Sequence, residues 1–273
     1  MQTLAPHINE QKAAEAFSAQ SAIFDEIYSS NTIVNYKRER VRAHVLKYLK
    51  PNSSILELNA GTGEDATYFA SLGHKVHATD IAEGMQQKLR EKAAQYGLSN
   101  LISTEICSFT HLAELKSRGP YEQIFSNFAG LNCTGELDKV LRSLPDLLTD
   151  DGVATLVILP RFCLWESLLL FKGLFKTATR RWFSKNGVRA HVEGTHFTCW
   201  YYDPQYVIEQ VKGKMDVLSI EGLCTIVPPS YIEHFAARYP KAYRFLMKWE
   251  GKLRFNRFWR RVGDYYIISL RKK

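Results

Sequence analysis

The sequence is poor in the features that would take it outside an ordinary folded intracellular chain. Its five cysteines (Cys107, Cys133, Cys163, Cys199, Cys224) are scattered, odd in number and without a C-x-x-C pair. That spacing argues against a disulfide framework and against a zinc cluster, so no metal is expected and the thiols read as small buried hydrophobes. Long apolar runs are missing too: FCLWESLLLF, the longest, is about half a membrane span and carries Glu166. The opening MQTLAPHINEQKAAEA has neither the basic start nor the apolar stretch of a secretory leader, and a cytoplasmic location is the expectation. Internal repeats and low-complexity linkers are likewise absent. What is present suffices for a core: 273 residues, 45% hydrophobic and 12% aromatic, can bury an ordinary globular interior.

Charge is divided unevenly. Residues 1–160 carry 15 Lys+Arg against 19 Asp+Glu, a net of −4, whereas residues 161–273 carry 21 against 9, a net of +12. Two stretches hold most of the excess: 161–189 has seven basic residues against Glu166, and 228–262 has nine against Glu233 and Glu250. Such a concentration attracts anions, whether an acidic substrate, a membrane surface or nucleic acid.

Residues 1–50 read as helical, with Phe17, Ile23, Phe24 and Ile27 at three-to-four spacing, and Pro51 stops the pattern. Short branched apolar runs then alternate with helical segments: SSILELN and GEDATYFASLG, KVHATD and AEGMQQKLREKAAQYG, LISTEIC and a short polar piece, YEQIFSNF and GELDKVLRSLPDLL, then GVATLVILP. That rhythm predicts βαβ units and a parallel sheet with helices on both faces. Beyond residue 160 it changes. WESLLLFKGLF reads as a helix, KTATRRWFSKNGVRAHVEG as an exposed irregular insert, HFTCWYY as a strand, 204–212 as a helix and MDVLSIEGLCTIV as a further strand. A long basic and aromatic helical insert follows, and DYYIISLRKK closes the chain as a strand placed to pair antiparallel with its predecessor. The expected organisation is an N-terminal helical cap (1–50), a core (51–160), and the rest of the same domain (161–273) with inserts at 176–203 and 228–262.

The stretch ILELNAGTGEDATYF marks the corner between the first strand and its helix. Ligands of open parallel sheets collect at such corners, at the carboxyl ends of the strands. Gly61 and Gly63 let the backbone turn and let a ligand approach without a Cβ in the way. Gly61-Thr62-Gly63-Glu64-Asp65-Ala66 formally satisfies the dinucleotide fingerprint, but Glu57 before the bend and Glu64 and Asp65 after it set carboxylates where a pyrophosphate would bind. A cationic cofactor suits these acids better. Asp80, at the end of KVHATD, stands where a carboxylate can accept both hydroxyls of a ribose.

On these residues the chain resembles the class I S-adenosylmethionine-dependent methyltransferases, from about residue 53 to residue 160. Glu57-Leu58-Asn59-Ala60-Gly61-Thr62-Gly63 stands where that family has acid-x-Gly-x-Gly-x-Gly, with Asn59 replacing the first glycine. The resemblance implies a Rossmann-like, doubly wound, mostly parallel seven-stranded sheet with an antiparallel last strand. It also implies S-adenosylmethionine as cofactor, held by Glu57, Asn59, Ala60, Gly61, Gly63, Asp65, Asp80 and Ile81. Cys107-Ser108-Phe109 stand where the family commonly has an acid and a hydrophobe near the adenine, so Ser108 and Phe109 are adenine candidates. Asn127 and Phe128, in SNFAGLN, fall in the loop near the methionine moiety in small-molecule methyltransferases. Plain structural readings stay open beside these: Glu57 as a strand-end acid satisfied by amides, Asp80 as a helix N-cap, Ser108 and Phe109 as loop packing.

Methyl transfer is an in-line displacement, so catalysis is chiefly alignment, and an oxygen or carbon nucleophile also has to lose a proton. His191 and His196, and after them His234, are the candidate bases, each with a structural role as its alternative, and Arg161, after the fifth strand, is the candidate anchor for an anionic substrate. The expected acceptor is small or lipid-like, an anionic aromatic compound among the options, with nucleic acid disfavoured and peripheral membrane docking through the basic half open. Oligomeric state is not legible. The rival readings are an NAD(P)-dependent oxidoreductase, for which the short-chain Tyr-x-x-x-Lys pair is missing, and a protein that binds S-adenosylmethionine without catalysis.

Overall fold

A computed structural model of the chain describes residues 5–232 and 234–273. Residues 1–4, where the reading of the leader began, and Glu233, counted above in the second basic stretch, lie outside them.

Three helices open the chain: α1 (Pro6–Gln20), α2 (Phe24–Ser29) and α3 (Thr32–Val45). The core then alternates as the sequence predicts, through β1 (Ser54–Leu58), α4 (Glu64–Ser71), β2 (Lys75–Asp80), α5 (Glu83–Gln95), β3 (Ile102–Ile106), β4 (Tyr121–Ser126), α6 (Leu137–Leu147) and β5 (Leu148–Ile158). Two short helices, α7 (Leu164–Ser167) and α8 (Phe175–Thr179), lead to a hairpin of β6 (Val188–Val192) and β7 (Thr195–Cys199). The chain closes through α9 (Pro204–Val211), β8 (Met215–Leu223), α10 (His234–Arg238), α11 (Pro240–Leu253) and β9 (Tyr265–Lys272).

The sheet has seven strands in the order β3-β2-β1-β4-β5-β9-β8, and β9 runs antiparallel between β5 and β8. The order reverses between β1 and β4, so the crevice forms at the carboxyl ends of those two strands. Continuous apolar runs explain the parallel strands, because both sheet faces are covered. Leu56, Leu58 and Ile124 pack with Leu137, Leu141 and Leu144 of α6 on one face, while Ile55 and Phe125 meet Val41, Phe69 and Leu89 on the other. Fully burying such a side chain is worth about 1.5–3 kcal/mol, so the two faces hold the strand ends in fixed register.

One expectation is met in an unexpected place and one is corrected. HFTCWYY forms its strand over Thr195–Cys199, but this pairs with Val188–Val192 in a separate two-stranded ribbon and not in the main sheet. The stretch 176–194, expected to be irregular, contains α8 and β6. The cause is long-range packing, since Phe197, Ala190 and Val192 seat the ribbon on Ala13, Ala16 and Phe17 of α1, a contact that local pattern does not encode. No helix among the described residues is long and apolar enough to cross a membrane.

Candidate active site

The corner after β1 is tight because its residues adopt left-handed backbone: Asn59 has φ 48°, Gly61 φ 56° and Gly63 φ 79°. Glycine takes that region freely and asparagine is among the side chains that tolerate it, which accounts for Asn59 in place of a glycine. Asn59 is also tied down. Its Nδ2 donates to the Asn127 carbonyl (3.0 Å) and its Oδ1 accepts from Ser126 Oγ (2.6 Å), binding the β1 corner to the β4 loop. Gly63 is fixed by sterics as well, since a Cβ there would lie 2.4 Å from Leu89 Cγ of α5.

The side chain of Asn59 needs room, and Gly130 provides it: a Cβ at 130 would fall 2.3 Å from Asn59 Cγ. Gly130→Ala therefore displaces Asn59 and should cost about 1–3 kcal/mol of stability, read as a lower thermal midpoint. Adding Asn59→Gly removes the clash. If the double variant regains nothing over Gly130→Ala, the clash is not the cause.

Around this corner opens a cleft with a cavity volume of about 140 Å³. Its walls include Glu57, Asn59, Ala60, Gly61, Asp65, Asp80, Ile81, Ser108, Phe109, Asn127 and Phe128, so eleven of the twelve cofactor candidates meet there, with Gly63 just behind, capping α4. Glu57 and Asp65 are almost fully buried, and Glu57 Oε2 is buried with no hydrogen-bond partner. Burial pushes the Glu57 carboxyl well above the usual carboxylate range, with the nearby Asp65 charge adding to it and Arg42 opposing. Asp80 is raised for the same first reason, burial, against the backbone N–H groups that bond it. Its Oδ2 accepts from the Gly61 N–H and its Oδ1 from the Ala82 N–H, both at 2.9 Å. Asp80 thus holds the turn and the start of α5, and its further lone pairs can still accept. Asp65 is balanced on both oxygens, by Arg42 Nε at 2.7 Å and by Asn127 Nδ2 at 2.7 Å.

Several lining residues escape sequence reasoning. Glu10, Ala13, Ala14 and Phe17 come from α1, Phe24 from α2, Arg38 from α3, and Thr62, Met85, Gly130 and Cys133 from the core. Asn9 latches α1 in place, donating to the carbonyls of Cys133 (2.8 Å) and Thr198 (3.0 Å) and accepting from the Thr198 N–H (2.6 Å). Glu10 Oε2 then accepts from Ser108 Oγ (2.6 Å) and Thr110 Oγ1 (2.9 Å), while its Oε1 is buried with no partner. Arg38 lies 5.3 Å from the Phe128 ring centroid, and its Nε is buried and unbonded. The one available sequence signal for Glu10 and Arg38 was a charged residue on the inner side of a cap helix, which periodicity alone does not separate from a solvated face.

The acceptor-side candidates sit elsewhere. His191 and His196 face each other across the β6–β7 ribbon with ring centroids 4.4 Å apart, exposed to solvent. Strand alternation is the reason: Ala190, Val192 and Phe197 point at α1, so the two histidines point away. Arg161 is exposed, its N–H donating to Asp203 and its Nε to the Tyr201 carbonyl at 3.3 Å. None of the three lines the cleft.

Two other clusters have the chemistry of a site without its access. His44 bridges Glu221 (2.8 Å) and Ser269 (2.9 Å), like a base between a carboxylate and a hydroxyl, yet all three are buried away from the cleft. Cys163, Glu166 and Asp264 converge, but Arg181 bonds both carboxylates at 2.7 Å, and burial pushes the Cys163 thiol up to about 12. A protonated thiol and two neutralised acids make a structural knot.

Comparison with known proteins agrees with the fold. Residues 55–152 match the family model for a methyltransferase domain. Among solved structures, the Burkholderia thailandensis 1,6-didemethyltoxoflavin N1-methyltransferase, crystallised with S-adenosylhomocysteine, superposes with a TM-score of 0.60 at 15% identity, covering 100% of this chain and 92% of that one. The [4+2]-cyclase SpnF superposes at 0.64 and 12% identity, covering 97% and 96%. Haemonchus contortus phosphoethanolamine N-methyltransferase 2, bound to phosphomonomethylethanolamine and S-adenosylhomocysteine, gives 0.58 and 16%, covering 94% of this chain and 57% of its own. No curated protein matches the chain by sequence.

Proposed function

We infer that this chain, a class I S-adenosylmethionine-dependent methyltransferase, moves a methyl group to an oxygen or carbon of a small or lipid-like acceptor, with ionised aromatic compounds the favoured class. The observation that carries the cofactor assignment is the buried, unpartnered oxygen of Glu57 at the tip of β1, beside Asp80 and a left-handed glycine corner. A buried carboxylate oxygen without a partner is costly unless a cation meets it. S-adenosylmethionine supplies an electrophilic methyl group on a sulfonium, along with an ammonium and a ribose. Glu57 would take the ammonium and Asp80 the ribose hydroxyls. The free Oε1 of Glu10, presented beside Ser108 and Phe109, suits the adenine amino group.

The acceptor reading rests on Phe17, Phe24 and Phe128 lining the cleft together with the Arg38 cation. Aromatic side chains beside a cation suit a flat or greasy molecule that carries an anionic group. Among the described residues no histidine lines the cleft, so an acceptor that arrives ionised, such as a carboxylate or an acidic phenol, fits better than one that has to be deprotonated in place. The chain's contribution is then alignment and exclusion of water.

Calorimetric titration with S-adenosylhomocysteine and with NADH tests the cofactor: the first should bind and the second should not. Incubation with S-adenosylmethionine and panels of phenols, aromatic acids, fatty acids and amines should release S-adenosylhomocysteine with the oxygen or carbon acceptors. Release with amines alone would overturn the acceptor class, and NADH binding without S-adenosylhomocysteine binding would overturn the cofactor.

A further inference from the structure

The first basic stretch has a firm base and an open crown. At the base, Glu166 accepts from Arg180 and Arg181, Arg181 also bonds Asp264, and the Leu164 N–H donates to the Val262 carbonyl. These contacts join the insert after β5 to the one before β9. At the crown, Phe171 is 89% exposed, Phe183 82%, Phe175 65% and Leu174 51%, and Lys172, Lys176 and Lys185 stand exposed among them. Single exposed hydrophobes are ordinary, but four large ones within thirteen residues, between α7 and α8, at the start of α8 and in the turn after it, form a patch.

The second basic stretch is built alike. Helix α11 turns Tyr243, Leu246, Met247 and Glu250 inward, and the Glu250 carboxylate accepts the backbone N–H groups of Cys224, Thr225, Ile226 and Val227. That inward anchor fixes which face looks out. The outer face interleaves Lys241, Arg244, Lys248 and Lys252 with Phe245 and Trp249, whose rings lie 6.1 Å apart, and Lys252 sits 5.2 Å from the Trp249 centroid.

We propose that these two inserts dock the protein on an anionic lipid bilayer, with Phe171, Leu174, Phe175 and Phe183 entering the headgroup and acyl boundary while the lysines and arginines meet lipid phosphates. Charge complementarity selects the occupant, because the half of the chain that carries the patch has a net charge of +12. Nucleic acid would also attract the cations, but Leu168 and Leu174 are exposed as well, and an aliphatic side chain has no ring on which a base can stack. Cations that meet lipid phosphates and apolar side chains that enter the interface act together in reversible attachment. Both inserts start from the carboxyl ends of strands, after β5 and after β8, the sheet edge where β1 and β4 open the cleft. A lipid-dissolved acceptor would therefore reach the enzyme from the docked side. Docking itself requires no particular acceptor.

Flotation with vesicles of phosphatidylcholine, with and without phosphatidylglycerol, tests this. The protein should float with the anionic vesicles at low salt and bind at least tenfold more weakly to phosphatidylcholine alone. The variant Phe171→Ser/Phe183→Ser should lose more than tenfold of the anionic-vesicle binding, with unchanged thermal midpoint and unchanged S-adenosylhomocysteine affinity, because both side chains are exposed. Wild type left behind by anionic vesicles, or a double variant that floats like wild type, would overturn the proposal. S-adenosylhomocysteine affinity, measured on the same samples, reports separately on the cleft.

Discussion

Replacing Asp80 with alanine should weaken binding of S-adenosylhomocysteine on the order of a hundredfold or more. Hydrogen bonds to a charged group contribute about 1.5–3 kcal/mol each, or roughly 10- to 150-fold in affinity, and a ribose offers two hydroxyls to this carboxylate. The variant also frees the N–H groups of Gly61 and Ala82, which Asp80 holds at 2.9 Å, so part of the loss would come from a looser corner. Asp80→Asn separates the two contributions: it keeps the size and one acceptor oxygen, and should fall between wild type and alanine. Calorimetry gives the affinities and thermal unfolding gives the stabilities. Cofactor affinity that survives Asp80→Ala would remove Asp80 from the ribose site.

The second large effect concerns pH and Glu57. Burial, and then the Asp65 charge, raise this carboxyl in the free protein, so over a window above the ordinary carboxylate range the free cleft holds a proton that the unfolded chain would not. A bound ammonium favours the ionised form, and binding therefore expels the proton. Affinity for S-adenosylmethionine should climb as pH rises through that window and level off above it. Proton release, measured by calorimetry in buffers of different ionisation heat, should shrink over the same range. The stability of the free protein has the opposite sign: a raised carboxyl stabilises fully below its unfolded value, and that contribution is lost as pH rises through the folded value. Glu57→Gln should cost about 2–3 kcal/mol of binding, roughly 30- to 150-fold, and flatten most of the pH dependence. An affinity independent of pH in wild type would show that Glu57 meets no cation.

The parts of this enzyme legible in the sequence were those encoded locally. Alternating strands and helices predicted the sheet, and a strand, two glycines and an acid predicted the corner. Asp80 was visible because the second strand must end beside the first in any such sheet. Asn59 could be seen to depart from the family pattern, but its purpose required Gly130 and Ser126, which lie far along the chain and close in space. Glu10 stayed hidden for a similar reason. Its helix buries Asn9 and Glu10 alongside Ala13 and Ala16, so no apolar stripe distinguished the inner face. His191 and His196 looked catalytic because they stand near the expected acceptor side in sequence, and the ribbon's alternation then turned both away.

The walls of the cleft come from two separate parts of the fold, the sheet and the N-terminal helices. Glu57 and Asp80, the acids proposed to hold the amine and the sugar, sit on the first two strands of the core, whereas another wall belongs to α1, held by Asn9 against Thr198, 189 positions downstream. Neither half encloses anything without the other. The seat of α1 on the ribbon therefore sets the width of the cleft, and three hydrogen bonds of one asparagine hold that seat.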